Sequence, residues 1–151
     1  MIRVQEQPFD VPAETAALTA GRTDIGALVT FTGLVRDTAH GRSLASMTLE
    51  HYPGMTEAEL GRIEAEARTR WALDGVTVIH RHGRLAPGDA IVLVITASRH
   101  RRDAFEAAEF LMDFLKTRAP FWKKETATDG SGDWVDARDA DASAEARWTT
   151  R

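Results

Sequence analysis

A chain of 151 residues with 43% hydrophobic and 28% charged content has the composition of one soluble globular domain, long enough to bury a real core. Its net charge of −4 argues against nucleic acid as the main partner, and its cysteine count of zero excludes disulfides, thiolate metal sites and a cysteine nucleophile. No apolar run approaches the about 20 residues of a membrane span and the first residues lack the apolar stretch of a signal peptide, so a cytoplasmic location is the expectation. Any sulfur chemistry here would need its sulfur delivered by another molecule.

In chain order, Ile2 to Val4 reads as an opening strand and Pro12 to Thr19 as a short helix. Ile25 to Gly33 is a nearly continuous apolar, β-branched run, the pattern of a buried strand. It empties through Leu34, Val35 and Arg36 into a polar loop, Asp37 to Arg42. An arginine just past a strand end and near glycines is placed to bind an anion; the plainer reading is a solvated loop cation. Leu44 to Tyr52 is the next strand, closed by the turn pair Pro53-Gly54. Thr56 and Glu59 then match a capping box, with Thr at the N-cap and Glu at N3, opening a helix whose apolar face is Leu60, Ile63, Ala67 and Trp71.

Val76 to His80 and Ala90 to Thr96 read as two strands joined through the turn Pro87-Gly88, and so as an antiparallel pair. His80 and His82 share a strand face without a third ligand, and read as surface or packing residues. Ser98 could cap the following helix, leaving His100 and Arg101 in or beside its first turn, where free N–H groups and the positive dipole end favour phosphate.

That helix carries Phe105, Ala108, Leu111, Met112 and Leu115 at helical spacing, and Pro120 stops it because proline lacks a donor and constrains the residue before it. Lys116 therefore falls in the last turn, where the macrodipole alone favours a cation. The segment Phe121 to Glu125 reads as extended, and period two puts Phe121, Lys123 and Glu125 on one side with Trp122 and Lys124 on the other. Two cations and a carboxylate beside aromatic surface make an anion pocket with a proton-transfer group in it. Trp134 to Arg138 reads as a last strand, and Asp139 to Arg151 as a small helix or loose tail.

Four stretches carry a resemblance. VTFTGLVRD (29–37), LEHYPGMTEAEL (49–60), VIHRHGRLAPGD (78–89) and FLKTRAPFWKKE (114–125), in this order, resemble the large, catalytic subunit of molybdopterin synthase over about residues 2–138. The run departs from that family before the His100-Arg101 pair, where a small residue is expected and Arg99 stands. The resemblance implies a single-domain α/β (α+β) fold of hammerhead type with an additional antiparallel β portion over residues 1–138, then a C-terminal tail over 139–151. It implies a homodimer that binds a small ubiquitin-like subunit at each end, giving a heterotetramer. The small subunit's C-terminal glycine thiocarboxylate would donate two sulfurs to cyclic pyranopterin monophosphate, forming the dithiolene of molybdopterin, with no resident cofactor or metal, no nucleic acid and no membrane.

By position, Lys116 resembles the catalytic lysine and Lys123 the second pocket lysine. Leu34, Val35 and Arg36 match the substrate-binding loop, and His100 and Arg101 match the pair that meets the substrate's anionic part. Lys124 and Glu125 complete the substrate-contacting run, although alternation points Lys124 away from Lys123; Arg138 is a weaker candidate for the same pocket. The alternative from another class is a non-catalytic module that binds a phosphorylated ligand or a partner protein's C-terminal tail.

Overall fold

The computed structural model describes residues 1–135 and 139–149. Strand β1 (Ile2–Gln5) leads to helix α1 (Val11–Thr19), capped by the Asp10 carboxylate, which accepts from the Ala13 N–H at 2.9 Å. Strands β2 (Ala27–Leu34), β3 (Thr38–Ala39) and β4 (Arg42–His51) follow, then α2 (Met55–Arg70), β5 (Gly75–Arg81), β6 (Gly83–Leu85) and β7 (Ala90–Ser98). The chain continues through α3 (Arg101–Thr117), β8 (Phe121–Ala127), β9 (Gly132–Val135) and α4 (Asp139–Ala146). This is a mixed α/β architecture. Among the described residues no helix is long and apolar enough to cross a membrane.

One sheet has the order β1-β5-β7-β2, with β1 parallel to β5 and the other pairs antiparallel. Side chains alternate between its two faces. Val76, Val78, Val92 and Val94 meet α2 and α3 in the main core, while Ile79, Leu93 and Ile95 meet Phe9, Val11 and Leu18 around α1. The second sheet has the order β3-β4-β8-β9, with β6 also paired to β4. It covers a separate apolar cluster of Val35, Leu44, Met47, Leu49 and Leu85. β3 and β4 are joined by His40-Gly41, both at positive φ (53° and 75°), the backbone of a tight two-residue hairpin.

Several local expectations shift. β2 is an edge strand and only half-buried, with Leu28 and Phe31 exposed, because among the described residues nothing pairs with its outer side. α2 starts two residues early: Gly54 is its N-cap, and Glu57, not Glu59, reaches back to the Gly54 N–H at 2.6 Å. Thr56 is buried inside the first turn and donates to the Tyr52 carbonyl at 2.9 Å. His100, not Ser98, stands at the N-cap of α3; Ser98 ends β7, and its hydroxyl accepts from the His100 N–H at 3.2 Å. On α3 the buried face is Ala104, Ala107, Phe110, Leu111, Phe114 and Leu115, while Phe105 is 62% exposed. Beyond β5 the chain does not return directly to β7, since β6 leaves the first sheet to pair with β4.

The last described segment is a helix. α4 lies along α3, with Arg118 paired to Glu145 at 2.8 Å and Trp148 buried in the main core beside Phe110. The boundary at 138 falls among residues outside the description.

Candidate functional site

The C-terminal end of α3 and the first half of β8 meet over the apolar cluster of the second sheet, and a cavity of about 360 Å³ opens at that junction. Its floor is Leu44, Met47 and Leu49 of β4 with Ile91. Leu34, Val35 and Arg36 enter from the end of β2, Leu115, Lys116 and Ala119 from the end of α3, and Phe121, Trp122, Lys123 and Glu125 from β8. Helix α3 ends at Thr117, three residues before Pro120, which places Lys116 in its last turn as expected.

The β4–β8 register explains which charges reach the cavity. Lys123 lies opposite Leu49 and Glu125 opposite Met47, so both carboxylate and ammonium share the face of the apolar floor. Lys124 lies opposite Thr48 and Trp134 on the alternate face and is exposed outside the cavity. Lys123 Nζ is 3.4 Å from Glu125 Oε1, and His40 Nε2 approaches Glu125 Oε2 at 3.8 Å. Glu125 thus sits between a lysine and a hairpin histidine, well covered, and orients Lys123.

Of the residues singled out in the sequence, Leu34, Val35, Arg36, Lys116, Lys123 and Glu125 come together around one cavity. Lys124 does not, and neither do His100 and Arg101, which stand exposed at the opposite end of α3. One turn-helix geometry separates them: α3 has 17 residues, or about 25 Å at 1.5 Å per residue. Arg138 lies outside the described residues.

Sequence reasoning assigned no site role to His80, which it read as a surface or packing residue, nor to Trp122, His40, Thr38 and Asp141. Trp122 lies tilted against Tyr52, with ring centroids 4.7 Å apart, and Asp141 brings a carboxylate to the cavity from α4. His80 is the most informative. It ends an apolar strand and packs as expected, yet it also forms cavity wall. Its ring stacks on Phe121 at 3.8 Å and 20°, and Nδ1 is 2.8 Å from the Arg81 carbonyl oxygen. A carbonyl only accepts, so Nδ1 carries the proton and donates. Burial pushes the imidazole down to about 4, with the charge on Lys116 and the rings of His51 and His82 adding to the effect and the Arg81 hydrogen bond opposing it.

This has a consequence for stability. The unfolded chain takes up a proton at His80 near the ordinary value of 6.5, whereas the folded protein does so near 4. The contribution is therefore complete above about pH 6.5 and is lost as pH falls toward 4, for about 3 kcal/mol in all. Urea midpoints measured at steps from pH 7 to pH 4 should decline over that window, and His80→Phe should flatten the decline. An identical slope in the variant would assign the acid sensitivity to other groups.

Fold and cavity together define a mixed α/β protein in which a helix-end lysine and a strand lysine face one cavity with an apolar floor. The family model described as MoaE protein matches residues 4–118. A molybdopterin synthase catalytic subunit of Mesorhizobium japonicum is 62% identical over 148 residues, covering 97% of this chain and 92% of its own. The solved MoaE protein of Burkholderia ambifaria superposes with a TM-score of 0.84 at 54% identity, covering 100% of this chain and 99% of its own. A complex of subunits 1 and 2 of the molybdopterin-converting factor from Helicobacter pylori shares the fold at a TM-score of 0.72 and 18% identity, covering 91% of this chain and 90% of its own. The chain belongs to the MoaE family, the catalytic subunits of molybdopterin synthase, which are sulfurtransferases of molybdenum cofactor biosynthesis.

Proposed function

We propose that the cavity takes cyclic pyranopterin monophosphate and the C-terminal thiocarboxylate of a small ubiquitin-like subunit, and that two sulfurs pass in turn to the pterin to form the dithiolene. The observation that carries this reading is the convergence of Arg36, Lys116 and Lys123 on one cavity with an apolar floor. A flat heterocycle suits the floor, and a cyclic phosphate suits a guanidinium, whose planar fork can bind it through two hydrogen bonds. Lys116 acts as general acid or stabilises negative charge on the thiocarboxylate carbonyl, and Lys123, held by Glu125, fixes the substrate's orientation. The sequence holds no cysteine, so the sulfur must be imported, and the Helicobacter pylori complex supplies a relative in which two subunits of the factor associate.

In this reading the large subunit is a homodimer with one small subunit at each end. His100 and Arg101 are too far along α3 to serve the cavity of their own chain, and they serve a neighbouring protomer's substrate instead. Lys124, which faces away from the cavity, takes at most a peripheral part. The cytoplasm is the setting.

The test is turnover followed by mass spectrometry, with this protein, a thiocarboxylated small subunit and cyclic pyranopterin monophosphate. The pterin should gain two sulfurs while the donor tail returns as a carboxylate. A tight complex without sulfur movement would replace the enzyme reading by that of a binding module.

A further inference from the structure

The placement of Lys116 relative to Lys123 depends on a corner of only a few residues. Helix α3 ends at Thr117 and β8 begins at Phe121. Within that corner the Phe121 N–H donates to the Ala119 carbonyl at 2.8 Å, which makes the bend tight but does not attach it to the rest of the molecule. Arg118 is tied to Glu145 at 2.8 Å and Ala119 is buried in the main core, and the Phe121 side chain adds a further attachment. Its ring lies flat on His80 at 3.8 Å, with His51 more distant at 6.0 Å. His80 is itself buried and tied: only 6% exposed, in the central strand pair β5–β7, with Nδ1–H donated to the Arg81 carbonyl at 2.8 Å. The Arg81 side chain is tied in turn, donating to the carbonyls of Glu6 at 2.9 Å and Ala90 at 3.0 Å. A ring held on β5, beside an arginine tied to Glu6 and to β7, therefore joins the Phe121–His51 strand pairing and the Arg118–Glu145 ion pair in setting where the corner sits.

We propose that His80 is a positioning residue for sulfur transfer: its locked imidazole clamps Phe121 and so fixes the corner that spaces Lys116 from Lys123. The proposal rests on the sulfur-transfer reading of the cavity. A buried aliphatic residue would fill the same space but would slide on the phenyl face, whereas a planar ring held by its own hydrogen bond defines both the height and the tilt of Phe121. The catalytic geometry is sensitive to this, because misplacing a reacting group by about 1 Å can lower a rate by about 10²-fold.

The experiment compares His80→Ala and His80→Phe with wild type in the reconstituted turnover assay, alongside Lys116→Ala. His80→Ala should remain cooperatively folded and bind the small subunit as wild type does. Its kcat should fall by about tenfold or more, while KM for the pterin changes by less than about threefold. His80→Phe, which restores a ring against Phe121, should recover a large part of the lost kcat. If His80→Ala does not fold, His80→Asn is read by the same criteria, since its amide can still donate to the Arg81 carbonyl while the stack is lost. Wild-type kcat in the ring-less variant would overturn the proposal, as would equal impairment of the Ala and Phe variants, or a raised KM at unchanged kcat. Lys116→Ala separates the two levels of the argument. If it is inactive while His80→Ala is unimpaired, only the positioning role fails; if it turns over normally, the reading of the cavity itself fails.

Discussion

Lys116→Ala should lower kcat for sulfur transfer by about 10²–10⁴-fold, the range spanned by loss of a positioned proton donor. On the proposed reading the two cavity lysines have different tasks. Lys123 Nζ lies 3.4 Å from Glu125 Oε1, so part of its charge is committed to that carboxylate along the same strand face. Lys116 stands in the last turn of α3 and enters the same cavity from that helix end. A cation held there can meet the oxygen that leaves the pterin or the acyl oxygen of the donor. Lys116→Arg discriminates between the two roles. A guanidinium keeps the charge but does not release a proton near neutral pH, so the arginine variant should stay impaired if proton donation is the task. Lys123→Ala, by contrast, should weaken pterin binding at least as much as it slows turnover, and its KM should rise. Single-turnover mass spectrometry on the three variants gives both quantities, and full speed in Lys116→Ala would remove the lysine from the mechanism.

How much of this could be read from the sequence differs from residue to residue. Lys116 and the alternation of Lys123, Lys124 and Glu125 are legible because they depend on local rules: proline stops a helix, and a strand has period two. The register with β4 then does what alternation implies, sending Lys124 outward. Arg36 is legible as a loop cation, and only the packing of β2 against β7 with the second sheet beneath makes it a cavity residue. Phe105 shows the limit of periodicity. It fits the apolar stripe, but α3 turns its Phe110–Phe114 face to the core, and Phe105 faces out. The cap of α2 fails for another reason: Gly54 at φ 84° takes the cap position through the turn backbone, which a search for Thr and Glu at fixed spacing does not register. His80 is legible as a packing residue but its partner is not, since nothing in Val76 to His80 says that Phe121, forty-one positions on, will lie flat against it.

Trp148→Ala should destabilise the protein by about 3–5 kcal/mol, the cost of removing a large aromatic side chain from a core that cannot fully close behind it. Trp148 is 1% exposed and stands edge-on to Trp71 at 5.6 Å and to Phe110 at 5.5 Å. Its indole N–H donates to Asp113 Oδ2 at 2.7 Å, a carboxylate that Arg147 also reaches at 2.7 Å. The ion pairs around it are a lesser matter, because Arg118–Glu145 and Arg147–Glu109 lie where solvent and salt screen them. The loss should therefore persist at high ionic strength, which marks it as packing. In urea the midpoint should fall with the slope little changed. A chain ended after residue 138 should lose at least as much, since it uncovers Phe110 and removes the rest of α4's contacts with α3. The effect on catalysis follows from geometry: the face of α3 that Trp148 covers belongs to the helix whose last turn carries Lys116. Loosening that helix should lower turnover before it lowers small-subunit binding. An unchanged urea midpoint in Trp148→Ala would show that the segment does not dock on α3 in solution, and the coupling from C-terminal helix to catalytic lysine would fall with it.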